Sequence, residues 1–225
     1  MCVVFSAVIN VSDVRQTHPT NAPYIVCLLP MTCMVDFSSA YNDAPPWDIG
    51  RPQKEFVQLE EAGEIVGSVL DVGCGTGENA LFLAAKGHDV WGVDFTPVAI
   101  EKARYKATER NLDVTFLTRN ALELRTLERT FDTVIDSGLF HALNDEERPR
   151  FVTSLASVLH RYGTYFMLCF SELEPGSYGP RRVTQSDIRN EFDRTWHINY
   201  IRPAQMESRR LIDGIRAWLS SISKE

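Results

Sequence analysis

At 225 residues and 44% apolar composition, the chain is long enough to bury the core of one α/β domain, with or without an added arm. Its 23 basic and 30 acidic residues leave a formal charge of -7, which speaks against the basic surface that binds nucleic acid, and no apolar run approaches the ~20 residues of a membrane span. Five cysteines (Cys2, Cys27, Cys33, Cys74 and Cys169), odd in number and without metal-ligand spacing, fit reduced thiols in a cytoplasmic protein.

Residues 1–33 differ in texture from the rest of the chain. MCVVFSAVINV is apolar but has no cationic lead and no secretory cleavage pattern behind it. This stretch is expected to be an N-terminal extension, disordered or outside the native protein, with the natural start at Met31 or Met34. Residues 34–64 read as a segment of their own. Tyr41-Asn-Asp-Ala-Pro-Pro-Trp47-Asp-Ile-Gly-Arg51-Pro-Gln53 is turn-rich and leads into a predicted helix over residues 53–62. Two aromatics and an arginine in one loop are expensive to leave loose. A hydrophobic anchor at Trp47 and a salt bridge at Arg51 fit as readily as ligand contacts.

Residues 65–225 form the main domain, which is organised around SVLDVGCGTGENALFLAAKGHDVWGVD, residues 68–94. Val69, Leu70 and Val72 suit a strand buried on both faces, and Ala80, Leu81, Leu83 and Ala84 recur at helical spacing. Between them, Asp71 precedes Gly73, Gly75 and Gly77. Glycines at a strand-to-helix turn allow positive φ and close approach of a ligand to the amides of the helix start. A dinucleotide turn would have its third glycine where Glu78 stands, and a carboxylate there would repel a pyrophosphate. Asp94, closing the second strand, can accept from both hydroxyls of an unmodified ribose, so the pattern suits an adenosine ligand without phosphates.

Asp71-x-Gly73-x-Gly75-x-Gly77 followed by Asp94 resembles the cofactor site of class I S-adenosylmethionine-dependent methyltransferases. PPWDIGRPQ and DSGLFHAL resemble the small-molecule branch with thiopurine, halide and benzoquinone-type enzymes. The resemblance covers residues 41–225 and implies a Rossmann-like, doubly wound, seven-stranded and mostly parallel sheet, with helices on both faces and an antiparallel last strand. It implies S-adenosyl-L-methionine as cofactor. The acceptor would be a small molecule (thiol, phenol, halide or heterocyclic nitrogen), methylated in line without a metal and without nucleic-acid or membrane partners. Residues 34–64 would then be a lid, with Trp47 or Tyr41 against the sulfonium and Arg51 on a carboxylate. The backbone of Gly73, Cys74, Gly75 and Gly77, with Asp71 and Asp94, would hold the cofactor.

Beyond Asp94, Phe95 is expected to border the adenine, and Thr96 to cap a helix that opens at Pro97 and runs to about Arg110. A third strand over residues 114–117 leads to Asn120-Ala121, where the family commonly has Asp-Ala; the Asn120 amide could still accept from the adenine amino group and also donate. A fourth strand ends at Asp136, another expected cofactor contact, and delivers His141 to the ligand-binding edge. His141 is the candidate catalytic base for a protonated acceptor. Histidines 18, 88, 160 and 197 have no partners suggesting a metal.

Asn144-Asp145-Glu146-Glu147 opens the next helix, and a fifth strand over residues 164–170 comes after Gly163. SELEPGSYGPRRV, residues 171–183, is a loop whose Tyr178, Arg181 and Arg182 are candidates for the acceptor-pocket wall. Thr184 and Asp187 spell a capping box for one more helix. Strands over residues 195–202 and 215–222 close the chain. The rival readings are a nucleotide-dependent oxidoreductase and a non-catalytic binding or partner subunit.

Overall fold

A computed structural model describes residues 37–225 apart from 42, 193 and 194. The expected extension over residues 1–33 lies outside the described residues. Two helices lead in, α1 (Phe37–Ala40) and α2 (Lys54–Glu61), the second burying Phe56 and Leu59. The strand-helix alternation continues as β1 (Ser68–Val72), α3 (Glu78–Ala85), β2 (Asp89–Asp94), α4 (Pro97–Glu109) and β3 (Val114–Thr118). A 3-10 helix (Ala121–Leu127) precedes β4 (Phe131–Ser137) and a second (Phe140–Ala142) succeeds it. Then come α5 (Glu147–Val158), β5 (Leu159–Phe170), α6 (Gln185–Glu191), β6 (Trp196–Met206) and β7 (Ile215–Lys224).

The strands form one sheet in the order β3-β2-β1-β4-β5-β7-β6. From β3 to β5 every pairing is parallel, while β7 runs antiparallel to both β5 and β6. The sheet is therefore mixed, with the expected antiparallel last strand β7 inserted between β5 and β6 and the other strands running in one sense. The connection from β6 to β7 is a short hairpin, and adjacent strands joined that closely must be antiparallel. β6 also runs past its expected end at Arg202 to Met206. Pro203 is tolerated because β6 is the edge strand, where a missing N–H breaks no ladder.

Consecutive residues of β1 face opposite cores. Val69 packs with Leu81, Leu83, Ile100, Ala103 and Phe56, and Leu70 with Phe151, Leu155, Val158 and Ile188. Helices therefore cover both faces, which is what the burial of Val69, Leu70 and Val72 on β1 requires. β1 lies between β2 and β4, so the winding reverses there, and in such sheets ligands bind in the crevice at the carboxyl ends of these strands. No described helix is long and apolar enough to cross a membrane.

Candidate active site

Past β1 the chain turns through Gly73, Gly75 and Gly77 at φ of 72°, 55° and 84°. Gly73 and Cys74 donate their amides to the Val93 carbonyl at 2.8 and 2.9 Å, tying the turn to β2, and the Gly75 amide donates to Asp94 Oδ2 at 3.0 Å. Gly77 has a second constraint. A Cβ there would lie 2.6 Å from the Phe116 ring and 3.0 Å from the Ala103 methyl. Gly77 thus performs the close helix-strand packing that the third glycine performs in a dinucleotide turn. The Cys74 side chain faces inward against Gly92 and is buried, so only its backbone belongs to the turn's outer surface.

Glu78 does not present the bare charge expected of it. Lys106 Nζ donates to it at 2.7 Å and Arg110 at 2.8 and 3.0 Å. Burial raises its pKa, yet these two cations hold it below the usual carboxylate range. Repulsion of a pyrophosphate by Glu78 is therefore offset by its partners. Three further acids stand at the strand ends.

Those acids are Asp71, Asp94 and Asp136, all buried. Asp94 accepts from Gly75 through Oδ2 and from the Thr96 amide at 2.8 Å through Oδ1. Burial raises its pKa against the pull of these amides. Thr96 does occupy the N-cap of α4 with Pro97 behind it, but its hydroxyl makes no capping bond. The Asp136 carboxylate accepts from the amides of Leu139 at 2.7 Å and Phe140 at 3.0 Å, and from the Tyr165 hydroxyl at 2.8 Å. It shapes the turn after β4, and these three donors compete with the ligand contact expected of it. Asp71 is 1% exposed, and its Oδ2 has no partner at all.

Burial, and then the nearby Asp136, push Asp71 up to about 8, and burial pushes Asp136 up to about 7. Both start from 3.8, so between these values the folded protein holds more protons than the unfolded chain. Their contribution to stability is complete below pH ~4 and is lost as pH rises through 7 to 8. Asp71→Asn should therefore gain in Tm over the parent protein more at pH 8 than at pH 5. A melting series with parallel pH dependence in the two proteins would contradict this.

The segment before α2 lies against the same turn. Tyr41 is buried with its hydroxyl over Gly75, where a Cβ would come within 2.8 Å of it. Trp47 Nε1 donates to that hydroxyl at 3.1 Å, the two rings meeting edge to face. Burial and then Asp94 raise the Tyr41 pKa. Asp48 accepts from the Thr76 hydroxyl at 2.9 Å. The far side of the segment is fastened to the β6–β7 hairpin. Arg209 donates its amide to the Pro46 carbonyl at 2.9 Å, and Gln53 exchanges two hydrogen bonds with the Glu207 backbone at 2.8 and 3.1 Å. Arg51 pairs with Glu207 at 2.7 Å and so takes part in this fastening.

Asn120 Oδ1 accepts from the Leu122 amide at 3.0 Å and caps the 3-10 helix that begins at Ala121. The carbonyl expected to accept from adenine is thus engaged, which leaves the amide nitrogen as a donor. Phe95 is exposed beside Asp94.

His141 differs from its expected role. Its Nδ1 accepts from the Phe170 amide at 3.1 Å, which places the ring proton on Nε2, and the ring lies edge to face on Phe170. Burial first, then Arg148 and Arg182, lower its pKa to about 3. A neutral imidazole whose one lone pair is already engaged cannot accept an acceptor's proton near neutral pH. The surface clefts along Arg104–Val114 and around Ala84–Val90 lie at the amino ends of β2 and β3, away from all these residues.

A family model described as a methyltransferase domain matches residues 69–163, from β1 into β5. Over 165 residues the chain is 36% identical to 2-heptyl-1-hydroxyquinolin-4(1H)-one methyltransferase of Mycobacteroides abscessus, covering 72% of this chain and 73% of that protein. The chain belongs to the S-adenosylmethionine-dependent methyltransferases. A solved structure from work on the conversion of a disulfide bond into a thioacetal group during echinomycin biosynthesis aligns with this methyltransferase at a TM-score of 0.76. It is 34% identical and covers 84% of this chain and 91% of its own. Magnesium protoporphyrin IX methyltransferase from Synechocystis PCC 6803, solved with bound cofactor, shares the fold at a TM-score of 0.60 and 24% identity, with 76% of each chain covered. The oxidoreductase and partner-subunit alternatives find no support among these relatives.

The methyltransferase's cofactor carries a positive sulfonium and an ammonium, and the residues of this chain suit it. Three buried carboxyl groups converge at the carboxyl ends of β1, β2 and β4, one with an unpartnered oxygen, and the glycine turn has no Cβ at Gly75 to fill the crevice. Sequence reasoning offered Tyr41 beside Trp47 but gave no sign that its hydroxyl lies over Gly75, because an aromatic in a Pro-rich loop carries no positional signal. It did not single out Arg148, which α5 buries to 1% exposure.

Proposed function

We propose that this methyltransferase transfers a methyl group to an ionisable heteroatom of a small molecule, namely a thiol, a phenol or a hydroxyl or nitrogen of a heterocycle. The observation that carries this reading is the glycine turn with the Asp94 carboxylate at its mouth and Asp71 Oδ2 unpartnered behind it. Asp94 would accept from the ribose, the amides of the turn would border the nucleoside, and Asp71 would answer the positive charge of the methionyl part. Tyr41 and Trp47 would close over the sulfonium. When bound, S-adenosylmethionine supplies an electrophilic methyl carbon, and the protein's task is to align an acceptor with it. The relative from Mycobacteroides abscessus acts on a hydroxyquinolone, which supports an aromatic heterocycle as one acceptor type.

A methyl-transfer screen over small thiols, phenols and hydroxylated heterocycles, read as S-adenosylhomocysteine release, tests this directly. Activity on at least one acceptor is expected, and calorimetry should show S-adenosylhomocysteine bound and NADH not. Tight NADH binding without S-adenosylhomocysteine binding would overturn the reading. His141→Ala should weaken activity without removing an ionisation near pH ~6.5 from the pH profile, because the imidazole is neutral throughout that range. Loss of such an ionisation would restore the histidine as base.

A further inference from the structure

Arg148, in the first turn of α5, is 1% exposed, and its Nε and Nη2 are sealed in with no hydrogen-bond partner. The guanidinium lies over the Phe140 ring, 4.7 Å from its centroid. Burial and then Arg181 act against its charge, while Asp187, Glu191 and Asp145 act for it from a distance. Two of these acids are committed elsewhere. Asp145 pairs with Arg181, and Asp187 accepts from the Thr184 amide in the capping box of α6. A guanidinium cannot shed its proton, so leaving it buried and unpaired works against the fold. An anion seated beside it would relieve that cost.

The position identifies which anion. Phe140 and His141 come after β4 at the carboxyl edge of the sheet, and the charge of Arg148 reaches both His141 and Cys169. Beside them is the loop over residues 171–183, whose Arg182 stacks on Phe170 at 5.3 Å and on Tyr178 at 5.2 Å. On the reading above, the cofactor would lie with Asp71 and Asp94, at the ends of β1 and β2. Arg148 lies instead by Phe140, just past β4, and its charge reaches Cys169 on β5.

We propose that Arg148 takes the negative charge of the acceptor, so that the small molecule is methylated as a bound thiolate, phenolate or heterocyclic oxyanion. This rests on the methyltransferase reading above. The acceptor's proton passes to solvent as the anion binds. Its sulfur or oxygen lone pair then forms the bond to the methyl carbon, the carbon-sulfur bond of the donor breaks, and that electron pair stays on the departing sulfur. No protein base is required, in keeping with the occupied Nδ1 of His141.

The test uses 4-nitrophenol and 4-nitrothiophenol, whose anions absorb differently from their neutral forms, titrated into the protein with S-adenosylhomocysteine bound. The expected result is an ionisation of the bound probe displaced downward by a pH unit or more in the parent protein. In Arg148→Met the anion should bind at least tenfold more weakly while S-adenosylhomocysteine affinity is kept. The Tm of that variant should hold or rise, since an unpaired buried charge is gone. Arg148→Lys should fall between. Wild-type anion affinity in Arg148→Met overturns the proposal, as does a joint fall of its Tm and S-adenosylhomocysteine affinity, which would mark a structural arginine. Failure of the parent to bind either probe with S-adenosylhomocysteine in place also overturns it. Failure of the parent to bind S-adenosylhomocysteine itself would instead overturn the methyltransferase reading.

Discussion

Gly77→Ala should destabilise the protein by about 2–5 kcal/mol, the sum of ~1–2 kcal/mol for an L-residue held in the left-handed region and ~1–3 kcal/mol for overpacking. The backbone at Gly77 is fixed at φ 84° by the hydrogen bonds on either side, Gly77 N–H to the Cys74 carbonyl at 2.9 Å and Leu81 N–H to the Gly77 carbonyl at 2.8 Å. The new methyl would have to displace the Phe116 ring, which is itself buried and touches Gly92 from the other side. Neither neighbour is the loose end of a flexible chain. Relief therefore comes only by shifting α3 off the sheet, which would also deform the turn at its N-terminus. Urea denaturation reads the loss in stability, and calorimetry with S-adenosylhomocysteine reads the deformed turn. A variant with parental midpoint and parental affinity would refute this account of Gly77. Gly87→Ala, where nothing lies within 4 Å despite a φ of 99°, isolates the backbone part of the effect.

Asp94→Ala should reduce S-adenosylhomocysteine affinity by about 100-fold or more, since hydrogen bonds to a charged group are worth ~1.5–3 kcal/mol each and two ribose hydroxyls would lose theirs. The variant also strips the Gly75 and Thr96 amides of their acceptor. Part of the loss would therefore come from a slackened turn. Asp94→Asn separates the two contributions, since its carbonyl can satisfy one amide while its nitrogen cannot accept. It should bind more weakly than the parent and more tightly than Asp94→Ala. Parental affinity in Asp94→Ala would remove the acid from the cofactor site.

The parallel half of the sheet was legible in the sequence because each step there is local. A strand such as Val69 to Val72, apolar on both faces but for Asp71 near its carboxyl end, reads as buried, and the glycines mark its turn without ambiguity. The N-terminal boundary of β5 was less legible. It starts at Leu159, directly after α5, and continues through Tyr162 at a positive φ of 66°, which no pattern of apolar residues announces. Side-chain allegiance within the site was least legible. That Arg51 would turn to Glu207, that Asn120 would cap a 3-10 helix, and that Asp136 would be taken up by two amides and a tyrosine all depend on partners brought together by the fold. Spacing along the chain can place a carboxylate at a strand end, but competition among nearby donors decides what it grips.

The bonds between residues 46–53 and the hairpin at Glu207 and Arg209 join stretches that are synthesised far apart. A growing chain could assemble β1 to β4 and their helices while this early segment still had nothing to fasten to. Only after β7 adds to β5 and aligns β6 does the fastening exist. The fastening thus depends on the last strand of the sheet, and trimming β7 should release residues 46–53 while leaving the parallel strands paired.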